Sequence, residues 1–144
     1  MKGTQVNIAP ITCKLFNLAI FTTDPNVDCS EMILSQDESF SLRVTVEFGG
    51  PGAIAMMPLN MTINVMFFAE PYGIGSKVEL GSTSVNTYAG ILMYSPTLAI
   101  AKPAAVGLSP EEIYQVIGVL RVGAPDWPAL ITGFIDGLAL QTYP

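Results

Sequence analysis

Alternation of apolar and polar side chains with a period of two is the dominant pattern of the chain. In residues 40–48 every second side chain is apolar, and the residues between them are Ser41, Arg43, Thr45 and Glu47. This period predicts a β-strand with one buried face. Residues 59–68 show the same period, and it predicts that Leu59, Met61, Ile63, Val65 and Phe67 face inward.

Further strands are predicted between turns that are rich in glycine and proline. They cover residues 13–21, 77–80, 92–101, 113–122 and 130–140. Pro96 cannot donate a ladder hydrogen bond, so its strand is interrupted or lies at a sheet edge. About seven short strands without a repeat or a long linker predict one domain over residues 1–144. The predicted fold is all-β, a single antiparallel β-sandwich.

Residues 108–114, Leu-Ser-Pro-Glu-Glu-Ile-Tyr, resemble the tyrosine corner of immunoglobulin-like and fibronectin type III-like domains. The resemblance implies that the Tyr114 hydroxyl bonds to backbone a few residues upstream. It also implies that Val116 occupies the second-cysteine position of such domains, opposite Val44 or Val46. The chain has no cysteine pair at these positions and no tryptophan in residues 59–68. A short helical turn with Ser109 as N-cap is the alternative for the same residues.

The last two predicted strands are apolar on both faces. In residues 113–122, one face carries Tyr114, Val116, Leu120 and Val122, and the other carries Ile113, Ile117 and Val119. In residues 130–140, the alternation groups Leu130, Phe134, Leu138 and Leu140 on one face and Ile131, Ile135 and Ala139 on the other. A second apolar face needs a cover of its own. We therefore expect a homodimer that forms through Ile117, Val119, Ile131 and Ile135.

Trp127 lies in the connection between these two strands, where the resemblance implies the F–G loop. Loops of this kind carry binding residues, and tryptophan is a frequent interface anchor. Trp127 is therefore a candidate contact residue. The alternative is that its ring covers the open end of the core.

The charge content excludes several classes of function. Only 12% of the residues are charged, the net charge is −6, and the six basic residues are scattered singly. A nucleic-acid footprint needs clustered lysine and arginine, so no nucleic-acid partner is expected. The absence of histidine removes the commonest general base and zinc ligand. We expect a non-catalytic binding module without a cofactor, whose protein or small-molecule ligand the sequence does not identify.

The acidic segment after residue 23 is the candidate metal site. Asp24, Asn26 and Asp28 place oxygen ligands at alternating positions, as at the start of a calcium loop, and Glu31 follows. Cys29 stands where the sharp turn requires glycine, and Ser35 stands where a bidentate glutamate should close the shell. A surface turn without metal is therefore expected, and a divalent-cation-binding sandwich is the alternative function.

Two charge-free stretches, residues 48–69 and 80–101, raise the question of a membrane span. Both contain proline and many polar residues, whereas a spanning helix needs about 20 predominantly apolar ones. No span is expected. The first residues do not match a signal peptide, so a cytoplasmic location is expected. In that compartment Cys13 and Cys29 are expected to be reduced and buried, and a bridge between them is the alternative.

Overall fold

The computed structural model describes residues 3–8, 11–22, 31–124 and 126–144. These residues contain ten strands, one α-helix and two 3₁₀ turns. The strands are β1 (Thr4–Ile8), β2 (Ile11–Phe21), β3 (Glu31–Ser35), β4 (Phe40–Gly49), β5 (Thr62–Pro71), β6 (Val78–Asn86), β7 (Met93–Tyr94), β8 (Thr97–Ile100), β9 (Ile113–Ala124) and β10 (Trp127–Tyr143). The helix is α1 (Pro51–Met56), and the 3₁₀ turns are Met57–Leu59 and Pro103–Val106.

The strands form two sheets, and this arrangement confirms the predicted all-β fold. In sheet A the order is β1-β2-β4, and β4 pairs along its other edge with both β7 and β8. In sheet B the order is β3-β10-β9-β5-β6. The predicted number of strands is too low, because the five-residue strands β1 and β3 are not predicted and Pro96 divides residues 92–101 into two strands. The sheets are also not wholly antiparallel, since β3 runs parallel to β10.

The core lies between the two sheets and follows the predicted alternation along β4 and β5. Phe40, Leu42, Val44, Val46 and Phe48 are all buried, as are Ile63, Val65 and Phe67. Leu59 is the exception, because it belongs to a 3₁₀ turn and is 66% exposed. Asn60 follows it in the left-handed conformation, with φ of 55°, and redirects the chain before β5 begins. The predicted inward position of Leu59 is therefore wrong.

Strand β10 changes its inward face halfway along its length. Ile131 and Ile135 are buried, and so are Leu138 and Leu140. The pairing with β9 shifts between Ile135 and Leu138, and Gly137 in this gap has φ of +101°. Such a bulge inserts one extra residue and moves the alternation by one position. The prediction that Ile131 and Ile135 lie on the outer face is therefore wrong, and both belong to the core.

Leu130 and Phe134 take the outward positions of β10 instead, and both are exposed. In β9 the predicted faces are correct: Tyr114, Val116, Leu120 and Val122 are buried, whereas Ile113, Ile117 and Val119 are not. The outer face of this hairpin therefore carries large apolar side chains on both strands. Its members on β10 differ from those that the sequence predicts.

The turn that leads into β9 has the contacts that the tyrosine-corner pattern predicts. Tyr114 is 3% exposed, and the backbone N–H of Ser109 donates a 2.8 Å hydrogen bond to its hydroxyl oxygen. The Thr142 hydroxyl donates to the Ser109 carbonyl at 3.3 Å, which connects this turn to β10. Residues 110–111 form a turn and not a helix, although the Glu111 N–H donates to the Ser109 hydroxyl at 3.4 Å, the contact that the N-cap alternative predicts.

Helical structure is short throughout the part of the chain that the structure describes. Its α-helix has six residues, and no helix there has the length and apolar content needed to cross a bilayer.

Candidate interaction surfaces

Two grooves of the described surface are open and hold little reactive chemistry. One groove of about 400 Å³ is lined in part by Lys14 and Glu47, which are cross-strand neighbours on β2 and β4. A second groove of about 410 Å³, beside Phe40 and Ile100, has no titratable side chain among the described residues that line it. Among the described residues, no three cysteine, aspartate or glutamate side chains come together as a metal-ligand group. The candidate functional sites are therefore two exposed apolar surfaces and not these grooves.

The first such surface is the centre of the outer face of sheet B. Phe134 lies opposite Val119 across one strand pair, and Val119 lies opposite Met66 across the next. In the adjacent row, Ile117 lies opposite Phe68. We call these five side chains the outer patch. Phe134 is 58% exposed and the other four are half-buried, so the patch presents apolar atoms from three neighbouring strands to the surroundings.

Charged residues surround the outer patch unevenly. Arg121 lies on β9 beyond Val119 and is exposed, in the row of Asn64 and Thr132. Toward the opposite end of these strands, Glu70, Glu79 and Asp136 are exposed. The Lys77 ammonium lies 4.8 Å from the centroid of the Phe68 ring at that end, a cation–π contact. One side of the patch is therefore basic, at Arg121, and the opposite side has more acidic than basic side chains.

The second surface is one end of the sandwich, where several connections meet. Thr62 at the start of β5 pairs with Asn86 at the end of β6 and with Gly123 near the end of β9. The β4–β5 connection with α1, the segment after β6 and the β9–β10 turn therefore share this end. The exposed large apolar side chains there are Ile54, Leu59, Tyr88, Ile91 and Met93. We call this surface the loop end.

A hydrogen-bonded turn presents two of these side chains. The N–H of Ile91 donates to the carbonyl of Tyr88 at 3.3 Å, and Gly90 between them has φ of 81°, as a type II turn requires. The Tyr94 hydroxyl donates to the Ile91 carbonyl at 2.7 Å and accepts from the Tyr88 N–H at 2.9 Å. The turn is therefore held from beneath by one buried tyrosine, with Tyr88 and Ile91 directed away from the core.

A second set of hydrogen bonds joins the helical connection to this turn. The Thr87 hydroxyl donates to the Met57 carbonyl at 2.9 Å and accepts from the Met61 N–H at 2.8 Å. The Thr87 N–H in turn donates to the Met61 carbonyl at 2.8 Å. Thr87 is buried, so these bonds fix the two segments against each other.

The candidate residues of the sequence are distributed unevenly over these surfaces. Ile117 and Val119 belong to the outer patch, and the backbone of Trp127 pairs with Ala124 at the loop end. The two alternatives for the Trp127 ring, contact with a ligand or cover for the core, both stay predictions. Asp24, Asn26, Asp28 and Cys29 lie outside the described residues, and Glu31 begins β3, where its backbone is opposite Ala139. Of the four metal candidates, only Glu31 therefore belongs to the described residues, and the expectation of no metal there stays a prediction.

Cys13 is a free thiol in the core between the sheets. Burial raises the pKa of this thiol to about 12, because the thiolate is poorly solvated there. A thiol of this kind is inert toward electrophiles at neutral pH, since the thiolate is the nucleophile. Cys13 therefore contributes packing and no nucleophile.

Comparison with known proteins adds no relative: no protein family matches the chain, and no curated protein matches it.

Sequence reasoning missed the loop end, although a signal for it was present. The charge-free residues 48–69 contain α1 and the 3₁₀ turn Met57–Leu59, and the charge-free residues 80–101 contain the turn at Tyr88. The pattern of the two stretches predicts strands over residues 59–68 and 92–101 and excludes a membrane span, but it does not predict an exposed apolar surface. That the two stretches meet at one end of the molecule depends on the pairing of β5 with β6, which their local patterns do not specify.

Proposed function

We propose that the protein is a non-catalytic interaction module that pairs with a second copy of itself through the outer patch. The observation that carries this proposal is the continuous apolar row Phe134–Val119–Met66 on a sheet face that has no covering layer among the described residues. Large exposed apolar patches on a folded domain mark interaction sites. The lack of histidine in the chain supports the absence of catalysis.

Contrast with the other sheet supports the choice of this face. The residues of β4 that alternate with its core positions include Ser41, Arg43 and Glu47, and none of these three is fully buried. Their polar groups can remain hydrated on the outside of sheet A. The outward residues at the centre of sheet B are apolar in both rows, so they gain more from leaving water.

A second copy is the occupant that the charge distribution favours. A two-fold axis that lies in the plane of the contact, perpendicular to the strands of sheet B, packs the two patches face to face and exchanges the two ends of the strands. It therefore places Arg121 of one protomer near the acidic side of the other, with its Glu70 and Glu79. Isologous contacts of this kind are the commonest in soluble oligomers, and complementary charges fix their orientation.

The strand order supports an immunoglobulin-like topology for this module. In that fold, strands A, B, E and D form one sheet, and C, F and G form the other, extended by C′ in variable-type domains. Here β2, β4 and β8 share sheet A and take positions A, B and E, and β5, β6, β9 and β10 share sheet B and take positions C, C′, F and G. The corner at Tyr114 lies at the start of F, as in such domains. Strand β3 is an addition at the edge of G.

A cytoplasmic location and the lack of a nucleic-acid partner belong to the same proposal. The free thiol of Cys13 is compatible with a reducing compartment. The net charge of −6 supports the second point, because phosphate backbones repel an acidic protein.

Light scattering coupled to size exclusion tests self-association at micromolar concentration. We expect the mass of a dimer for the wild type and the mass of a monomer for Val119→Glu and Phe134→Glu, because each carboxylate would be desolvated in the contact. The exposed position of Phe134 makes Phe134→Glu the safer variant for folding, and a denaturation curve checks it.

Ile74→Glu is the matched control, since Ile74 is fully exposed in the β5–β6 connection, away from the outer patch. This variant should keep the mass of the dimer. A monomeric wild type, or a dimer that survives Phe134→Glu, would refute self-association through this face.

A further inference from the structure

We propose that the loop end is a docking surface for a zwitterionic lipid bilayer. The loop end is distinct from the outer patch, and the proposal does not depend on dimer formation. Three properties carry it: the shape of the surface, its charge, and the internal hydrogen bonding of its backbone.

The apolar side chains of the loop end project outward from connections. Ile54 is on the exposed side of α1, whose Ala53 and Met56 face the core, and Tyr88 and Ile91 flank the turn held by Tyr94. A Cβ atom added to Gly90 at the tip of that turn would meet no atom within 4 Å. Protruding apolar side chains of this kind can enter the acyl boundary of a bilayer, which deforms around them, without a partner surface of complementary shape.

Charge separates this end from the rest of the molecule. Its exposed apolar residues all come from two stretches without a charged side chain, residues 48–69 and 80–101, although the chain has a net charge of −6. Two carboxylates border this end: Asp126 in the neighbouring β9–β10 turn is exposed, and Glu47 on β4, opposite Met93, is half-buried. Both can remain in the headgroup water. A neutral tip on an acidic protein fits zwitterionic headgroups and disfavours anionic ones.

Several backbone groups of the loop end have hydrogen-bond partners inside the protein, so they do not depend on water. Irregular segments are costly in lipid because their N–H and C=O groups lose hydrogen bonds to water. Here Tyr94 satisfies the Tyr88 N–H and the Ile91 carbonyl, and Thr87 satisfies the Met57 carbonyl and the Met61 N–H. These groups therefore keep their partners when the tip leaves water. Tyr88 adds a ring of the type that concentrates at membrane interfaces.

Flotation with phosphatidylcholine vesicles tests the proposal. We expect the wild type to float with the vesicles, and Ile54→Asp and Ile91→Asp to lower the partition coefficient about tenfold or more, because each replaces inserted apolar surface by a carboxylate. Added salt should leave the partitioning unchanged, and phosphatidylserine in the vesicles should weaken it. Ile91→Ser, which adds no charge, should give a smaller loss in the same direction.

Ile74→Asp is the matched control, because Ile74 is equally apolar and exposed but lies in the β5–β6 connection at the opposite end of sheet B. It should float as the wild type does. Denaturation curves confirm that each variant is folded, and Phe134→Glu separates this surface from the outer patch, since it should change the mass in solution but not the flotation.

Three results would overturn the proposal. The first is no flotation of the folded wild type at millimolar phosphatidylcholine. The second is binding that requires phosphatidylserine and is lost in salt, which would indicate an electrostatic site elsewhere. The third is that Ile54→Asp and Ile91→Asp change the mass in solution without affecting flotation, which would assign the loop end to contacts between copies.

Discussion

A hydrogen bond joins Ser109 and Tyr114 across the turn that leads into β9. The Ser109 N–H donates to the tyrosine hydroxyl oxygen, with 2.8 Å between nitrogen and oxygen. Because Tyr114 is buried, water cannot easily replace this acceptor. We expect Tyr114→Phe to lower the free energy of unfolding by about 1–3 kcal/mol, the cost of leaving a partly buried donor without a partner. Urea denaturation measures this change. Tyr72→Phe is the control, since Tyr72 is exposed, and an equal effect of both variants would argue against a corner.

Gly137 allows the bulge that separates the two halves of β10. Its φ of +101° lies where side chains are strongly disfavoured, although a Cβ added there would meet no atom within 4 Å. We expect Gly137→Ala to destabilise the domain by about 1 kcal/mol or more through backbone strain alone. Gly73→Ala, at a position without positive φ, should be nearly neutral. Equal denaturation midpoints for the two variants would contradict the assigned bulge.

Cys13 gives the stability of the protein a dependence on alkaline pH. Its pKa rises from 9.0 to about 12 on burial, so the unfolded chain releases this proton first. The contribution is complete below pH 9.0 and is lost as the pH rises toward about 12, at about 1.4 kcal/mol per pH unit. Denaturation midpoints measured across this range should fall less steeply for Cys13→Ala than for the wild type. Parallel slopes would show that the thiol is not desolvated.

Calcium should not raise the melting temperature of the protein. The segment that opens with Asp24 and Asp28 lacks the turn glycine and the closing carboxylate of a calcium loop. A ligand at a hundredfold its Kd adds about 2.7 kcal/mol to the free energy of unfolding, which a thermal scan resolves easily. A clear upward shift at millimolar calcium, lost in Asp24→Asn, would instead favour the divalent-cation alternative.

The fold was predictable where one strand face is buried and the other is hydrated. Along β4 the alternation from Phe40 to Phe48 specifies both the strand and its inward side, because a shift by one residue would expose five apolar side chains. The same logic failed in β10. Both of its faces carry large apolar side chains, so the alternation does not reveal the extra residue near Gly137 and places Ile135 on the wrong side.

The candidate surfaces were predictable only in part for the same reason. Ile117 and Val119 of the outer patch follow directly from the alternation in β9. Met66 and Phe68 join them only through the pairing of β5 with β9, which is a tertiary property. The helix α1 was missed because Gly-Gly-Pro-Gly reads as a break, although proline is favoured in the first turn of a helix.

The parallel pairing of β3 with β10 has a consequence for how the chain folds during synthesis. Glu31 lies opposite Ala139, and β10 also pairs with β9, so β3 has no partner and β9 lacks one of its two neighbours until residues 127–143 have left the ribosome. Contacts so distant in sequence form slowly, because the loop between them must be closed first. Until then β3 and one edge of β9 are unpaired. The nascent chain therefore needs β10 to complete sheet B. It is most prone to aggregation and to chaperone binding just before β10 emerges.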